Sequence, residues 1–342
     1  MAIKSYLDVN EGNHLVHQKK GIVAHAFDEI DRLTILPRSL HLLPSFIQIE
    51  PTTKCNLRCK ICLRTHTCPD GSHDMSMDVF KLIIDQSVSL HLVKPVIKLI
   101  GLGEPLLNPH IASMVEYAKR KGLRVEIVSN FTTVNPKILA KFVEAQLDSL
   151  CVSLDAASPE IFERIRVGAK FDEVIGNVKS FLKIRKDMNS VKPRVFFNST
   201  INEDNVKEIP AIVELAKSVG VDGVNFANQI VSNKEGYEHP LFTTLSFEKS
   251  HGKTEVWTHG KVNNCPAMRR CYITSDGKVM PCNFLMELIS REEYPRFQFG
   301  DITQSSFRSI WFSKRYRQFR VGKALGFHPY FCSSCPSMPN TH

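Results

Sequence analysis

Three cysteines lie close together in the first part of the chain, where Cys55, Cys59 and Cys62 form the pattern Cys-x3-Cys-x2-Cys. Three thiolates on one loop can bind three irons of a four-iron cluster and leave the fourth iron free for another ligand. Zinc sites normally use four protein ligands, and thiolates in excess of imidazoles favour iron–sulfur centres over hard cations. The spacing therefore predicts an iron–sulfur centre with one open iron.

A second group of cysteines lies near the end of the chain. Cys265 and Cys282 flank a hairpin signal at Asp276-Gly277, and Cys332 and Cys335 form a Cys-x2-Cys pair. Four thiolates in two separated pairs suit either a zinc ribbon or one iron–sulfur cluster, and the spacing alone leaves both open. The sequence therefore predicts a second metal centre.

The elements that must position the first cysteines alternate between strands and helices. Short β-rich runs are predicted at 46–50, 96–101, 124–129, 149–154, 194–201 and 223–228. Amphipathic helices are predicted at 77–90, 111–122, 135–146, 158–166, 171–187 and 205–220. This alternation indicates right-handed βαβ units and a parallel sheet, an α/β fold with a partial (β/α)6 barrel like that of TIM barrels. Active sites of such barrels lie at the carboxyl ends of the strands.

Individual residues mark the expected helix ends. Ser76 and Ser158 are predicted N-caps, and Pro136 suits the first turn of its helix. Gly122 is a predicted C-cap, and Pro210 is expected to kink its helix or to restart it. These signals predict a well-ordered set of helices between the strands.

The regular alternation stops near residue 230, which sets the expected domain organisation. We predict a lead-in over 1–44, the partial barrel over 45–230, a linker over 231–260 and a small α+β domain over 261–342. In the last unit, the Asp276-Gly277 turn predicts a hairpin and residues 305–320 predict a helix. The second set of cysteines would belong to this small domain.

Composition and charge limit the possible functions. Lys and Arg number 44 against 35 Asp and Glu, a net charge of +9, which indicates a basic surface or an anionic substrate. No segment is apolar over the roughly 18 residues that span a bilayer, and the polar N-terminus has no signal-peptide pattern. We therefore expect a cytoplasmic protein that does not bind membranes.

The cysteine loop and the segments after the later strands together resemble the radical S-adenosylmethionine (SAM) superfamily. Gly101–Pro105 is similar to the family's Gly-Gly-Glu segment, with Leu102 between the usual glycines. By this resemblance Cys55, Cys59 and Cys62 bind a [4Fe–4S] cluster whose open iron chelates SAM. Gly103 and Glu104 would contact the amino group of SAM.

The resemblance implies further cofactor contacts at the ends of the later strands. The residues assigned in this way are Ile61, Ser129, Asn130, Ser153, Asp155, Arg166 and Asn198. Ile61 occupies a position that is usually aromatic and would pack on the adenine without π-stacking. Ser153 and Asp155 would reach a ribose hydroxyl, and Arg166 would pair with the SAM carboxylate. Asn198 would face either the cofactor or the substrate.

The C-terminal cysteines resemble the Twitch and SPASM extensions of this superfamily. The spacing from Cys265 to Gly277 and on to Cys282 matches their hairpin, and the resemblance assigns Cys265, Cys282, Cys332 and Cys335 to one auxiliary [4Fe–4S] cluster. Four ligands favour the shorter Twitch-type form. Cys68 is interpreted as a free buried thiol. Cys271 is interpreted as a structural thiol, an exchangeable ligand, or a hydrogen donor near the substrate; the last would make it catalytic.

The resemblance implies an oxidoreductase or lyase that cleaves SAM to a 5′-deoxyadenosyl radical. The radical would abstract hydrogen from a small polar substrate, sugar- or nucleoside-like, for oxidation or decarboxylation, with the auxiliary cluster as electron acceptor. A reductant such as flavodoxin or ferredoxin is the expected partner. One alternative is a radical enzyme that modifies peptides or proteins. Another is an iron–sulfur or zinc protein that binds nucleic acid through the basic, aromatic stretch 314–323.

Overall fold

The three-dimensional description comes from a computed structural model. It describes residues 43–62, 64–67, 72–90, 94–229, 250–251, 254–258, 266–282 and 293–324. The predictions made for Cys68, Cys265, Cys332, Cys335 and most of the lead-in fall outside these residues.

The strands and helices follow one another along the chain much as the sequence predicts. The strands are β1 (Phe46–Ile49), β2 (Val96–Leu99), β3 (Arg124–Ser129), β4 (Ser149–Ser153), β5 (Arg194–Ile201), β6 (Gly223–Asn228), β7 (Ser250–His251), β8 (Thr254–Thr258), β9 (Arg270–Ile273), β10 (Lys278–Met280) and β11 (Gly300–Asp301). The helices are α1 (Arg64–Thr67), α2 (Met77–Leu90), α3 (Ile111–Arg120), α4 (Pro136–Glu144), α5 (Pro159–Ile165), α6 (Phe171–Asp187), α7 (Ile209–Val219), α8 (Tyr294–Phe297), α9 (Phe307–Trp311) and α10 (Lys314–Ala324).

Within the described ranges the strands form one open sheet in the order β11-β10-β9-β1-β2-β3-β4-β5-β6-β8-β7. Strands β1 to β6 are parallel neighbours in chain order. This is the arrangement that successive βαβ units produce. The predicted α/β fold with a partial barrel is therefore confirmed.

The two faces of the barrel strands differ in burial. In β5, Val195, Phe197, Ser199 and Ile201 are buried, whereas the residues between them are half-buried. The buried apolar face belongs to the main core, which it shares with the helices. The half-buried residues therefore line the concave side of the barrel, where a ligand has access.

Several helix ends form for the reasons the sequence suggests. The Ser76 hydroxyl accepts a hydrogen bond from the Val79 N–H at 3.3 Å, and Asn135 caps α4 with Pro136 in the first turn. Pro210 lies in the first turn of α7, directly after a short 3-10 turn, so the proline restarts the helix. Gly122, with a φ of +72°, follows the end of α3.

Two features of the C-terminal half differ from the sequence prediction. The helix predicted over 305–320 is divided into α9 and α10, because the Ser313 hydroxyl accepts from the Tyr316 N–H and caps a new helix. The predicted linker contains β7 and β8, and β8 adds to the sheet parallel to β6. At the other edge, β9 pairs parallel with β1.

Candidate functional site

The cysteine loop lies at the carboxyl ends of the strands and is fixed by backbone hydrogen bonds to the segment after β4. The Arg58 N–H donates to the Val167 carbonyl at 3.0 Å, and the Lys60 N–H donates to the Ile165 carbonyl at 2.9 Å. The Thr65 hydroxyl donates to the Cys59 carbonyl at 3.1 Å. These bonds hold the loop that carries the three thiols in one position against the end of α5.

Asn56, inside the cysteine loop, connects it to the turn that follows β3. Its Oδ1 accepts from Asn130 Nδ2 at 3.0 Å, and its Nδ2 donates to the Thr132 hydroxyl at 2.8 Å. Asn130 Oδ1 in turn accepts from the backbone and hydroxyl of Thr132. The side chain of Asn130 belongs to this network, and its contact with the cofactor stays a prediction.

The three thiols lie near one another and near a guanidinium. Burial raises the pKa of Cys59 to about 11; the positive charge of Arg166 opposes this shift, and the thiols of Cys62 and Cys55 add to it. In the described part of the chain, no three Cys, His, Asp or Glu side chains converge closely enough for a single metal ion. A cubane does not require such convergence, since each thiolate binds a different iron.

Arg166 forms a buried ion pair with Asp155. Its Nε lies 2.7 Å from Asp155 Oδ2. Burial lowers the pKa of Arg166, but the Asp155 carboxylate and the thiols of Cys59 and Cys62 raise it more, so that the net shift is upward. Among the described residues, neither Nε nor Asp155 Oδ2 forms a hydrogen bond of regular geometry, so the pair is held by charge. This buried cation next to the thiols fits a carboxylate-bearing ligand such as SAM.

Asp155 has both oxygens engaged with protein atoms. Its Oδ1 accepts from the Thr200 N–H at 2.7 Å, while Oδ2 pairs with Arg166, and the residue is completely buried. In this arrangement Asp155 positions Arg166 and joins β4 to β5. Two of its roughly four acceptor positions remain, and the contact with a ribose hydroxyl stays a prediction.

Glu104 joins the turn after β2 to the end of β3. Its Oε1 accepts from the Ser129 hydroxyl at 2.7 Å and from the Leu106 N–H at 3.0 Å, and its Oε2 accepts from the Asn130 N–H at 2.6 Å. Burial raises the pKa of Glu104 despite these donors. A carboxylate has about four acceptor positions, so one remains for the predicted contact with an ammonium group. Ser129, predicted to contact the cofactor, is buried and bonded to Glu104.

Gly103 allows the turn after β2 to lie directly on the start of the cysteine loop. A Cβ at this position would lie 2.3 Å from the Thr52 carbonyl oxygen and 2.5 Å from that of Lys54. The next N–H, of Glu104, donates to the Lys54 carbonyl at 2.7 Å. A side chain at Gly103 would therefore separate the two segments.

We expect Gly103→Ala to lower the free energy of unfolding by about 1–3 kcal/mol, as overpacking does, and to lower the iron bound after reconstitution. Gly176→Ala is the matched control, because a Cβ on this helical glycine meets nothing within 4 Å and alanine there should stabilise the protein by about 0.5–1 kcal/mol. Chemical denaturation and iron assays measure both effects. Equal behaviour of the two variants would contradict this role of Gly103.

A row of polar residues crosses the concave side of the barrel on β4, β5 and β6. Ser153, Asn198 and Asn225 are register neighbours on β4, β5 and β6, and all three are half-buried. The Asn225 Nδ2 also lies 3.9 Å from the Cys151 sulfur, one layer deeper. Ile61 is half-buried and packs against the core. The row can offer neutral hydrogen-bonding groups to a ligand.

The described part of the C-terminal cluster region places Cys271 and Cys282 within electrostatic range of Tyr316. Both thiols, together with burial, raise the pKa of Tyr316, and Arg320 opposes them. Cys271 is buried on β9, opposite Ile47, on the strand face that turns away from the concave side. This face is opposite to the one that carries the polar row, and the three interpretations of Cys271 stay predictions.

Comparison with known families matches both parts of the chain. The radical SAM superfamily model matches residues 49–216, and the SPASM model, an iron–sulfur cluster-binding domain, matches residues 265–336. The chain belongs to the radical SAM superfamily and carries a SPASM iron–sulfur domain. Its cofactors are therefore a [4Fe–4S] cluster, SAM and the auxiliary iron–sulfur clusters of the SPASM domain.

Individual relatives cover most of the chain at low identity. A tungsten-containing aldehyde ferredoxin oxidoreductase cofactor-modifying protein of Pyrococcus furiosus is 25% identical over 320 residues, 85% of this chain and 86% of that protein. An AdoMet-dependent heme synthase of Methanosarcina barkeri is 25% identical, covering 78% and 82%. Streptococcus suis SuiB bound to SAM has a similar fold, with a TM-score of 0.64 at 14% identity over 96% of this chain and 80% of SuiB.

Sequence reasoning missed several residues around these sites. No sequence motif marks Asn56, Asn225 or Arg320, because each is defined by partners that the fold brings to it. Glu50 is similar: it directly follows β1, is buried, and accepts from the Tyr272 hydroxyl at 2.9 Å and from the Ser275 N–H at 3.1 Å. A charged residue at the end of a buried strand was the available signal for Glu50.

No helix in the described ranges is long and apolar enough to cross a membrane.

Proposed function

We propose that this enzyme cleaves SAM reductively and oxidises or decarboxylates a small polar substrate at the concave side of the barrel. The observation that carries the proposal is the buried Arg166 beside the thiols of Cys59 and Cys62, at the carboxyl ends of parallel strands. An anionic, sulfur-rich centre and a carboxylate ligand both suit that cation. The proposal includes the domain boundaries predicted from the sequence, with the partial barrel over 45–230 and the small cluster domain over 261–342.

When bound, the cluster and SAM supply an electron and a 5′-deoxyadenosyl radical that abstracts a hydrogen atom from the substrate. Cys55, Cys59 and Cys62 would hold three irons, and Arg166 would orient the SAM carboxylate. The hydrogen bonds of the cysteine loop fix the thiols before the ligand arrives, which lowers the ordering cost at the site. The free acceptor position of Glu104 would receive the amino group of SAM.

The substrate side of the site favours a small molecule with several hydrogen-bonding groups. Ser153, Asn198 and Asn225 are neutral donors and acceptors, suited to hydroxyl, carbonyl or amide groups. The relatives with high coverage are named for modification of a tungsten enzyme's cofactor and for heme synthesis, which also favours small molecules. The similarity to SuiB, at 14% identity, supports the fold and gives no information on the substrate. The net charge of +9 suits an anionic substrate.

Anaerobic incubation with SAM, a low-potential reductant and candidate metabolites tests the proposal. We expect 5′-deoxyadenosine to form, and mass spectrometry to show loss of two hydrogens or of carbon dioxide from one small substrate. Flavodoxin or ferredoxin should replace the chemical reductant. Absence of 5′-deoxyadenosine from iron-loaded protein would contradict the reaction, and turnover of peptides alone would contradict the substrate class.

Asn198→Ala separates the substrate side from the SAM side. Removing one neutral hydrogen bond should lower kcat/KM for the substrate about two- to twelvefold, from a loss of about 0.5–1.5 kcal/mol. SAM cleavage without substrate should not change, because Asn198 is placed on the substrate row. If Asn198→Ala instead weakens SAM binding and leaves kcat/KM unchanged at saturating SAM, Asn198 faces the cofactor.

A further inference from the structure

Arg320 on α10 is a buried cation that lacks a negatively charged partner in the described structure. Its side chain is fully buried, and its Nη2 donates to the Trp311 carbonyl at 2.8 Å. Its guanidinium lies 4.4 Å from the centre of the Trp311 ring and 4.9 Å from that of Tyr316. Within the described ranges, Nε and Nη1 have no hydrogen-bond partner. Burying a charge in this way is costly unless a counter-charge is nearby.

A second polar group without a partner lies beside it. The Tyr316 hydroxyl is buried and has no hydrogen-bond partner among the described residues. The Tyr316 ring packs against two aromatic rings. The centroid of Phe299 lies 4.8 Å away and that of Trp311 lies 4.5 Å away. The rigid packing keeps both donors of this pair in place.

The surroundings of this pair identify the missing counter-charge. The thiols of Cys282 and Cys271 both act electrostatically on Tyr316. The helix α10 that carries Arg320 and Tyr316 also packs against the turn Pro266–Met268, directly after Cys265. Of the four cysteines assigned to the auxiliary cluster, Cys282 is therefore near Tyr316 in space. Cys265 directly precedes, in sequence, a turn that packs against α10.

We infer that Arg320 and Tyr316 face the auxiliary iron–sulfur cluster, donate hydrogen bonds to its sulfur atoms, and set its reduction potential as positioning residues. The inference rests on the auxiliary cluster of the SPASM domain and not on the identity of the substrate. A four-thiolate [4Fe–4S] centre carries a charge of about −2 and gains one further negative charge when it accepts an electron. A buried cation and a hydroxyl donor stabilise the reduced state more than the oxidised state, so they raise the potential.

The test uses the full chain with Cys55, Cys59 and Cys62 all replaced by alanine, so that only the auxiliary cluster assembles. After anaerobic reconstitution, an EPR-monitored redox titration gives its midpoint potential. We expect Arg320→Met to lower the equilibrium constant for one-electron reduction at least about tenfold, which is about 59 mV. Arg308→Met is the matched control, since it removes the same charge from an exposed position on α9 and should leave the potential unchanged.

Tyr316→Phe provides an independent measurement that keeps the ring packing. It should lower the potential in the same direction by a smaller amount, with iron content unchanged. An unchanged potential in iron-loaded Arg320→Met, as would follow if a carboxylate pairs with Arg320, contradicts the inference. If Arg320→Met does not hold iron, an unchanged potential in Tyr316→Phe contradicts it instead. A triple cysteine variant that binds no iron contradicts the auxiliary cluster itself, whereas a failed substrate assay leaves this result unaffected.

Discussion

Cys59→Ala is expected to abolish the formation of 5′-deoxyadenosine from SAM and to lower the iron content by about four atoms per chain. Cys59 is the middle thiol of the loop, is 8% exposed, and interacts electrostatically with Arg166 and with both other cysteines. With two remaining thiolates a cubane would have two irons without protein ligands. Iron and sulfide assays, together with chromatography of the SAM cleavage products, measure the two losses.

Cys151→Ala is the matched control for this experiment. Cys151 is buried to a similar degree, and burial raises its pKa to about 11 as well, but it lies on β4 away from the cysteine loop. Loss of this thiol should leave both the iron content and substrate-free SAM cleavage near the wild-type values. Retention of full SAM cleavage by Cys59→Ala would overturn the assignment of the loop. Equal losses in both variants would indicate general damage to the fold.

The order of the barrel elements was predictable because local signals agree with the final structure. Strand runs such as 124–129 coincide with β3, and Ser76 and Pro136 occupy the helix starts that their side chains favour. Alternation and handedness predict parallel strands, and the consecutive order of β1 to β6 is the barrel arrangement of such units. The cysteine spacing likewise needs no tertiary information, since one folded loop of eight residues can bring all three thiols to the same cluster.

The polar contacts were less predictable because they join segments that are distant in sequence. Glu104 was assigned to the SAM amino group, but the sequence does not reveal that Ser129 and the Asn130 N–H occupy most of its acceptor positions. Asp155 was assigned to a ribose for the same reason: its partners, Thr200 and Arg166, come together through the sheet register and the end of α5. A polar residue at a strand end signals a site, but its partner is set by tertiary structure.

The C-terminal half was the harder part to predict, and the reason is weak local signal. Strand β8 consists of residues Thr254–Thr258 in a stretch without clear periodicity, and it exists because the exposed edge of β6 offers backbone partners. The division between α9 and α10 depends on one hydroxyl, that of Ser313. The basic stretch 314–323 was considered as a nucleic-acid-binding surface, although Arg320 within it is buried between aromatic rings.

Arg166→Met is expected to lower the free energy of unfolding of the metal-free protein by about 3–5 kcal/mol, because removing one partner of a buried ion pair leaves the other charge uncompensated. Asp155 is completely buried and would keep the Thr200 N–H as a donor but lose its cation. Arg164→Met is the matched control, two residues earlier in the last turn of α5. Its ion pair with Asp204, at 3.3 Å with the arginine 40% exposed, should contribute about 0–1 kcal/mol. Urea denaturation measures both changes.

The double variant Asp155→Leu with Arg166→Met separates the structural role of the pair from its role in binding. Replacing both charges with apolar groups should recover much of the lost stability, since buried pairs are often exchanged for apolar residues at little cost. SAM affinity should not recover: loss of the charge-assisted bond to the SAM carboxylate should raise Kd about 10- to 150-fold, from about 1.5–3 kcal/mol. Equilibrium dialysis with the iron-loaded variants measures this. Recovery of both stability and SAM affinity in the double variant would show that Arg166 balances Asp155 and does not bind the cofactor.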